Sequence, residues 1–438
     1  MTEFGGSSRI SQRDSKDLAA AMADWSKRAG RLLPWGGTLL VGLLLGCVPA
    51  PLLQGVSIDP SLITPNADGS DDVAMIRYRV TRPGLVSIWF EDSEGTRRYL
   101  RQDSRRSAGS YEILWGGVIG DRVLPAGTYR YQVEAVAQES AERAAVPGTL
   151  VIRNPDDVAP ELENFTVVPA RFTPNQDGLH DRLAISFRLT EAATVEIFLE
   201  NEAGARYPVG LPRALGGEEI LSPFQASRSL QLKPGLVEYD YDGGIDEGIS
   251  PPPDGLYRVA ASAQDPAGNV VRVEASLTIA EGGVPIAEVV FGEFEPRVVP
   301  LGGQLCFNAL VENTGAAAIR TTGPPVGTTY RSGENFNTLG HFEEAGAFRL
   351  GVDFEGNSQG RRYPYRWQLG SVNALEGRLI DGQTHLYLLP GQRVPVSGCI
   401  TIDEPPPTTQ PQFWIGLFHE QVRIVNDFQY PTTIAVGF

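Results

Sequence analysis

The sequence predicts an all-β protein with three β-sandwiches in tandem, preceded by a signal or anchor segment. Apolar residues recur at every second position within short stretches, the pattern of half-buried strands. Turn-forming residues are abundant, with 49 glycines and 33 prolines among 438 residues. No long amphipathic helical pattern follows residue 50. A chain of this length suggests about three domains.

An internal duplication supports the tandem arrangement. The segment Thr64–Asp72 (TPNADGSDD) recurs 109 positions later as Thr173–Asp181 (TPNQDGLHD). The same shift superimposes the alternating apolar residues that follow, namely Ala74, Ile76, Tyr78 and Val80 on Leu183, Ile185, Phe187 and Leu189. A shared fixed offset is typical of repeated structural units.

The second copy is longer than the first. Pro125–Tyr129 (PAGTY) corresponds to Pro253–Tyr257 (PDGLY) at an offset of 128, and 128 − 109 leaves about 19 extra residues. These residues are expected within about 205–238.

Three motifs resemble a known family. They are the Pro-Asn-x-Asp-Gly-x-x-Asp opening, the turn Trp115-Gly116-Gly117 with its counterpart Tyr241-Asp242-Gly243, and the Pro-x-Gly-x-Tyr strand. Together they are similar to the bacterial Ig-like domain named after the flagellar hook-cap protein FlgD, over 57–153 and 165–280. The resemblance implies Ig-like or fibronectin-like sandwiches, extracellular, that act as spacers or in adhesion.

The N-terminal segment predicts export and lipidation. Leu32–Gly46 is apolar, follows basic residues and ends immediately before Cys47, as in a lipoprotein signal. We therefore expect a lipid on Cys47 that anchors the chain to the outer face of a membrane. Leu45 departs from the smaller residue that is usual there. The alternative is a membrane-spanning helix, for which about 15 apolar residues are short.

The predicted organisation begins with a leader over 1–46, within which Met22 is the expected true start. A lipid-anchored linker (47–56) follows, then Ig-like domain 1 (57–154), Ig-like domain 2 with its longer insert (160–281) and a C-terminal β-sandwich (285–438).

Cys306 and Cys399 remain once Cys47 is assigned to the anchor. Both lie in strand-like segments of the last domain, and an even number of cysteines in an exported protein favours one disulfide. Two buried free thiols are the alternative.

Charge excludes one class of partner. Removing the leader, which has six basic and four acidic residues, from the net charge of −16 leaves −18 on the exported part. Such an acidic surface repels nucleic acid phosphates. Nucleic acid is therefore not an expected partner.

The repeated acidic turn has two interpretations. Its oxygen-bearing residues match inner positions of a calcium-binding loop; the candidate ligands are Asn66, Asp68, Asp72, Asn175, Asp177 and Asp181. The first and last ligand positions of such a loop are absent. The alternative is an Asx turn, in which these side chains accept backbone N–H bonds and glycine takes the left-handed conformation.

The C-terminal domain is the expected location of specificity. Its segment 321–346 is too polar for a core, so we expect either an ordered functional loop or a disordered one. Aromatic rings beside arginine and asparagine are typical of sugar recognition. The candidate ligand surface consists of Tyr330, Asn335, Arg362, Tyr363, Tyr365 and Trp367. The alternative is that these aromatic residues belong to the core.

The sequence contains no recognisable nucleophile, acid–base pair or cofactor loop, so no enzyme and no cofactor other than calcium is predicted. The function expected is that of a lipid-anchored envelope protein, in which two spacers present a recognition or assembly domain to an envelope protein or glycan. The alternative is a carbohydrate-binding module or an accessory protein of cell-wall processing.

Overall fold

The computed structural model describes residues 50–209 and 230–437. Regular structure in this part of the chain is almost entirely β-strand, which confirms the all-β prediction. Its buried apolar side chains form three clusters, within Leu52–Ile152, Leu162–Ile279 and Ala287–Val436. Each cluster is the core of one sandwich. The leader, Met22 and Cys47 lie outside the described residues, as do residues 210–229.

The first sandwich packs a three-stranded sheet, in the order β1-β3-β6, against a five-stranded sheet, in the order β2-β10-β9-β4-β5. Alternation in the sequence has its expected result in β3, where every second side chain is buried. The strands are Leu53–Asp59 (β1), Leu62–Ile63 (β2), Ala74–Val80 (β3), Gly84–Glu91 (β4), Arg97–Arg106 (β5), Gly109–Trp115 (β6), Val118–Ile119 (β7), Arg122–Val123 (β8), Gly127–Ala137 (β9) and Arg143–Ile152 (β10).

The second sandwich repeats this topology. Its smaller sheet has the order β11-β13-β17, and its larger sheet runs β12-β19-β18-β14-β15, with β16 also paired to β14. The strands are Leu162–Val168 (β11), Arg171–Phe172 (β12), Leu183–Leu189 (β13), Ala193–Asn201 (β14), Arg206–Pro208 (β15), Leu230–Leu232 (β16), Gly235–Tyr241 (β17), Gly255–Gln264 (β18) and Val270–Ile279 (β19), with a 3-10 helix at Ile245–Glu247.

The sequence alignment of the two copies agrees with the strand pairing. Ala74 of β3 pairs with Trp115, and its counterpart Leu183 of β13 pairs with Tyr241. The aromatic residue of the turn motif therefore occupies the same position in both sheets. In the second copy β15 and β16 both pair with β14, so the extra residues interrupt the strand that corresponds to β5.

The third sandwich has a different topology. One sheet runs β20-β22-β29-β24 and the other β27-β28-β23-β25-β30-β31, with β26 paired to β25. The strands are Ala287–Glu295 (β20), Val298–Pro300 (β21), Gln304–Asn313 (β22), Ile319–Thr321 (β23), Thr329–Arg331 (β24), Phe348–Phe354 (β25), Tyr365–Gln368 (β26), Glu376–Ile380 (β27), Gln383–Leu388 (β28), Arg393–Thr401 (β29), Gln412–His419 (β30), Arg423–Thr433 (β31) and Ala435–Gly437 (β32), with a 3-10 helix at Val372–Ala374.

The central strands of this larger sheet are covered on both faces. Every residue of β25 except its last is buried. On the outer face Gly351 of β25 and Gly416 of β30 lie opposite each other, and the ring of Tyr363 fills the space above them. A Cβ on Gly416 would lie 2.5 Å from Cε1 of that ring. The two glycines therefore form the slot that holds Tyr363.

Cys306 and Cys399 form a disulfide, as the sequence predicted. They are directly paired residues of β22 and β29. Both are half-buried, because they alternate with core residues such as Phe307 and Ile400. The bridge thus joins two neighbouring strands on the outward face of their sheet.

Replacing both cysteines by serine is expected to lower the stability of the third sandwich. The bridge closes a loop with a sequence separation of 93 residues, and such a loop contributes about 4 kcal/mol through the entropy of the unfolded chain. Scanning calorimetry with and without reductant measures the effect. The reduced wild-type protein should match the double serine variant. Identical melting of the oxidised and reduced wild type would contradict the prediction.

Candidate functional site: the joint between the second and third sandwiches

The two acidic turns have similar internal hydrogen bonds. Asp72 accepts backbone N–H bonds from Asn66, Ala67 and Gly69. Asp181 accepts bonds from Asn175, Asp177 and Gly178, so the middle donor lies one position later than in the first copy. Within each turn the asparagine side chain also accepts an N–H bond from the residue two positions on.

These bonds support the Asx-turn interpretation of the repeat. The carboxylate oxygens of Asp72 and Asp181 are committed to backbone donors, and Gly69 and Gly178 have φ values of 87° and 84°. Among residues 50–209 and 230–437, no group of three or more histidine, cysteine or acidic residues is arranged to hold a metal ion. Each of the six calcium candidates accepts at least one backbone N–H bond within its turn.

The two turns differ in their surroundings. In the first copy Ala67, Asp68 and Gly69 are exposed. In the second copy Asn175 and Asp177 are only 2% and 4% exposed. The third sandwich covers the second turn, and sequence reasoning did not foresee this contact.

Three side chains of the third sandwich bind the buried turn. Arg320 of β23 donates from Nε to the backbone oxygen of Asp177 at 2.6 Å. Tyr387 of β28 donates its hydroxyl hydrogen to Oδ2 of Asp177 at 2.7 Å. Nε2 of His419 lies 2.6 Å from the backbone oxygen of Gln176, so the tautomer with a hydrogen on Nε2 donates this bond.

The backbones of the two sandwiches also meet directly. A Cβ on Gly178 would lie 2.1 Å from the backbone oxygen of Ala345, and a Cβ on Gly346 would lie 2.1 Å from the backbone carbon of Asp177. Both positions therefore require glycine for steric reasons in addition to their positive φ. We call these contacts, together with Arg320, Tyr387 and His419, the joint.

Ion pairs flank the joint. Nε2 of His180 lies 2.9 Å from Oδ2 of Asp381, and Arg378 pairs with Glu281 of the linker. These groups are partly exposed, so they contribute less than the buried hydrogen bonds.

An ion network built on three buried arginines, Arg320, Arg349 and Arg366, extends into the third sandwich. Arg320 pairs with Glu344 at 3.1 Å, and Arg349 lies 3.8 Å from Glu344 and 3.7 Å from Glu420. Nη1 of Arg366 donates to both carboxylate oxygens of Glu420 at 2.8 Å. Replacing one member would leave its partner charge buried, which is costly. The network therefore fixes the segments that form the third sandwich's side of the joint.

Phe336 lies at the centre of this network. The guanidinium carbons of Arg349, Arg361 and Arg366 lie 5.7, 4.8 and 4.5 Å from its ring centroid. Cations over an aromatic face are attracted to the ring, more strongly where water is excluded. The expectation that 321–346 is too polar for a core is therefore wrong: both Phe336 and Tyr330 are fully buried.

Burial changes the acid–base behaviour of the joint. Loss of solvent and the neighbouring Asp177 carboxylate raise the pKa of Asp181 to about 6, against the opposing effect of its backbone N–H donors. Burial likewise raises the pKa of Asp177 and lowers the pKa of His419 to about 4. Neutral His419 is consistent with its single donated bond to Gln176.

A different set of residues joins the first and second sandwiches. Asn269, which is completely buried, accepts a bond from the backbone N–H of Val123 and donates to the backbone oxygen of Asp156. The backbone N–H of Val270 donates to the oxygen of Asp121. The hairpin β7–β8, rather than the acidic turn, therefore makes the contact to the next sandwich in the first copy.

The predicted ligand surface is wrong for its four aromatic members. Tyr330, Tyr363, Tyr365 and Trp367 are at most 1% exposed. Their polar atoms bond within the protein: Tyr330 to the oxygen of Arg366, Tyr365 to that of Ser332 and Trp367 to that of Thr328. Both faces of the larger sheet of the third sandwich are covered, so these aromatic residues belong to the interior of the protein.

The remaining two members of that surface also have internal partners. Arg362 is exposed but pairs with Asp427 at 2.7 Å. Asn335 is half-buried, and its Oδ1 accepts an N–H bond from Asn337 at 3.0 Å. The six residues therefore do not form a common exposed face.

Comparisons with known proteins add likenesses of fold. No family model and no curated protein sequence matches the chain. Among solved structures, the FN1–FN3 domains of chicken CNTN1 share 11% identity, with 88% of this chain and 99% of that chain covered and a TM-score of 0.22. The fibronectin(III)-like modules of Clostridium thermocellum CbhA share 12% identity, with 51% and 93% covered and a TM-score of 0.19.

Native E. coli alpha-2-macroglobulin shares 12% identity and a TM-score of 0.21; the match covers 88% of this chain and 23% of that much longer one. TM-scores this low carry no inference about function. The assignment of three sandwiches follows from the strand pairing and the three cores described above. No helix within the described ranges is long and apolar enough to cross a membrane.

Gly178→Ala is expected to open the joint, whereas Gly69→Ala is its matched control. Both changes place a side chain at a positive φ, at a cost of about 1 kcal/mol. Only the Cβ at position 178 meets another backbone; nothing lies within 4 Å at position 69. Hydrogen exchange of residues 173–181 and 344–347 should therefore rise in Gly178→Ala alone. If residues 173–181 and 344–347 exchanged at the same rates in Gly178→Ala as in Gly69→Ala, the proposed joint would be contradicted.

Asp181 is expected to titrate with a midpoint of about 6, measurable from its carboxyl carbon by NMR. The folded pKa exceeds the unfolded value near 3.8, so the folded protein holds this proton more tightly than the unfolded chain does. The group therefore adds about 3 kcal/mol to the free energy of unfolding below pH 4, and this stabilisation is lost as the pH rises through 6.

Gly178→Ala provides the control for this titration. Opening the joint returns water to Asp181, so its midpoint should fall towards that of an ordinary carboxyl. A midpoint near 4 in the intact wild-type protein would show that burial does not govern this group.

Proposed function

We propose that the protein is a non-catalytic, lipid-anchored component of the cell envelope. In this proposal the first two sandwiches are spacers of the FlgD-type Ig-like family, and the third is the domain that recognises or assembles with an envelope partner. The observation that carries the proposal is the joint, at which buried hydrogen bonds connect the second sandwich to the third.

The chemistry of the joint supports a spacer. A flexible tether would leave the third sandwich free to rotate, whereas Arg320, Tyr387 and His419 each hold the same turn. Gly178 and Gly346 remove the side chains that would separate the two backbones. Fixed orientation is useful to a protein that presents one domain at a defined position relative to a membrane.

The disulfide supports export. Disulfides persist in oxidising compartments and are rare in the cytosol of most organisms. Cys306 and Cys399 are bridged, which leaves Cys47 as the remaining cysteine of the three in the chain. A cysteine directly after the apolar leader is where lipid attachment is expected.

The acidic residues of the third sandwich do not favour catalysis. Glu420 is the most deeply buried of its network's carboxylates, and Arg366 donates hydrogen bonds to both of its oxygens. A carboxylate paired in this way is poorly placed to exchange a proton with a substrate. The carbohydrate-binding alternative has lost the aromatic residues on which it was based, since these belong to the core.

Cys47→Ser is expected to release the protein from the membrane fraction, because the lipid is attached through the thiol. Fractionation of cells that express the wild type or the variant measures this, together with the mass of the N-terminal peptide. Cys306→Ser/Cys399→Ser is the matched control: it removes the other two cysteines and should keep the protein in the membrane fraction. If Cys47→Ser stayed in the membrane fraction and was released only by detergent, lipid anchoring at this residue would be contradicted.

Crosslinking in intact cells tests the role of the third sandwich. Crosslinks to another envelope component should concentrate in residues 285–438 and depend on the joint. Crosslinks confined to the first two sandwiches would contradict the assignment of specificity to the third.

A further inference from the structure

The first sandwich differs in charge from the rest of the chain. Residues 51–154 contain twelve arginines and thirteen acidic residues, a net charge of −1. The following residues, 155–438, contain nineteen basic and thirty-six acidic residues, a net charge of −17. Five of the twelve arginines lie in one strand, β5.

Strand pairing places several of these arginines at one end of the sandwich. Leu53, where β1 begins, pairs with Val80, and Val80 pairs with Gly109. In the other sheet Gly84 pairs with both Arg106 and Ala137. The start of the sandwich and the end of β5 therefore share one pole. We define this N-terminal pole as residues 51–53, 79–84, 105–109 and 137–143.

The N-terminal pole is basic. Its charged residues are five arginines and two glutamates, a net charge of +3; they are Arg79, Arg82, Arg105, Arg106, Arg143, Glu139 and Glu142. Arg82 pairs with Glu142 at 2.8 Å. Arg79, Arg105 and Arg143 are exposed, and within the described residues none of the three makes an ion pair.

Most of the arginines at this pole form no ion pair within the described residues. Arg106 donates to the backbone oxygen of Arg105 and lies 5.5 Å from the ring centroid of Tyr111. By contrast, Arg97 and Arg98 at the opposite end of β5 each pair with an acidic residue, Glu91 and Asp92. Within the described part of the first sandwich, eight of the twelve arginines make no ion pair, and four of these eight lie at the pole where the described chain begins.

We propose that the N-terminal pole binds the anionic headgroups of the membrane that holds the lipid anchor. This inference rests on the proposed lipidation of Cys47. Leu53 lies six positions after Cys47, so even a fully extended chain keeps the start of the pole within about 20 Å of the lipid-bearing residue. Guanidinium groups form paired hydrogen bonds with phosphate oxygens. The acidic remainder of the chain is repelled by the same surface.

The charge distribution therefore orients the molecule. Attraction acts only at the pole next to the anchor, and repulsion acts on the second and third sandwiches. Each arginine near an anionic bilayer strengthens binding by about fivefold, and the effect weakens beyond a Debye length of about 10 Å at 0.1 M salt.

A single introduced thiol tests the proposal. In the lipidated, oxidised protein Ser107→Cys adds the one free thiol, at an exposed position of the pole. The purified lipoprotein is reconstituted into vesicles of phosphatidylcholine, with or without phosphatidylglycerol, and labelled with a membrane-impermeant maleimide. Labelling is expected to be at least about fivefold slower in the anionic vesicles, with the difference lost at high salt. Ser70→Cys, in the exposed first turn, should label equally in both.

Two triple variants complete the experiment. Arg105→Gln/Arg106→Gln/Arg143→Gln should abolish the slower labelling of Ser107→Cys. Arg122→Gln/Arg130→Gln/Arg153→Gln removes the same charge from exposed arginines outside the pole and should preserve it. Equal labelling rates in the two kinds of vesicle, or loss of protection in both triple variants, would overturn the proposal.

The experiment also distinguishes a failure of this proposal from the absence of the lipid anchor on which it rests. The mass of the N-terminal peptide shows whether Cys47 carries lipid in the same preparation. If it does not, the proposed function fails, and flotation with the two kinds of vesicle tests the pole separately. Binding to anionic vesicles without a lipid on Cys47 would support the pole alone; no binding would overturn both proposals.

Discussion

The structure depends on one carboxylate in each acidic turn, which accepts several backbone hydrogen bonds. Asp72 and Asp181 each accept hydrogen bonds from three backbone N–H groups. These hydrogen bonds shape the loop that leads into β3 or β13. The linker to the next sandwich is hydrogen-bonded to the same loop. The backbone N–H of Asp156 donates to Pro65, and that of Gly283 donates to Pro174. The turn therefore couples the interior of each module to its connection with the next.

The joint shows how a local motif acquires a role between domains. The second turn offers the oxygens of Gln176 and Asp177, and the third sandwich supplies donors from three strands or strand ends. The arginine–glutamate network around Phe336 then anchors these donors to the opposite side of the sheet. Because Arg366 and Glu420 are buried together, removal of either would leave the other charge without its partner in the interior. Orientation, rather than affinity, is the property that this chemistry secures.

Much of the fold was predictable from local patterns. Alternation identified the strands that follow each acidic turn, and the offset of 109 aligned the two copies. The joint was not predictable, because Asp177 and Arg320 are 143 residues apart and neither is unusual in its own segment. The error over Tyr363, Tyr365 and Trp367 has a similar origin. Alternation shows that a strand has two faces, but only the path of the covering loops determines whether both are buried.

The two copies of the turn are not interchangeable, although their internal bonds are similar. His180 faces Asp381 in the third sandwich, and the first copy has Asp71 at the corresponding position. If the first module preceded the third sandwich, two carboxylates would meet where a histidine and an aspartate now lie. The difference at this one position therefore disfavours an exchange of the two modules. The order of the sandwiches is part of what the side chains at the joint specify.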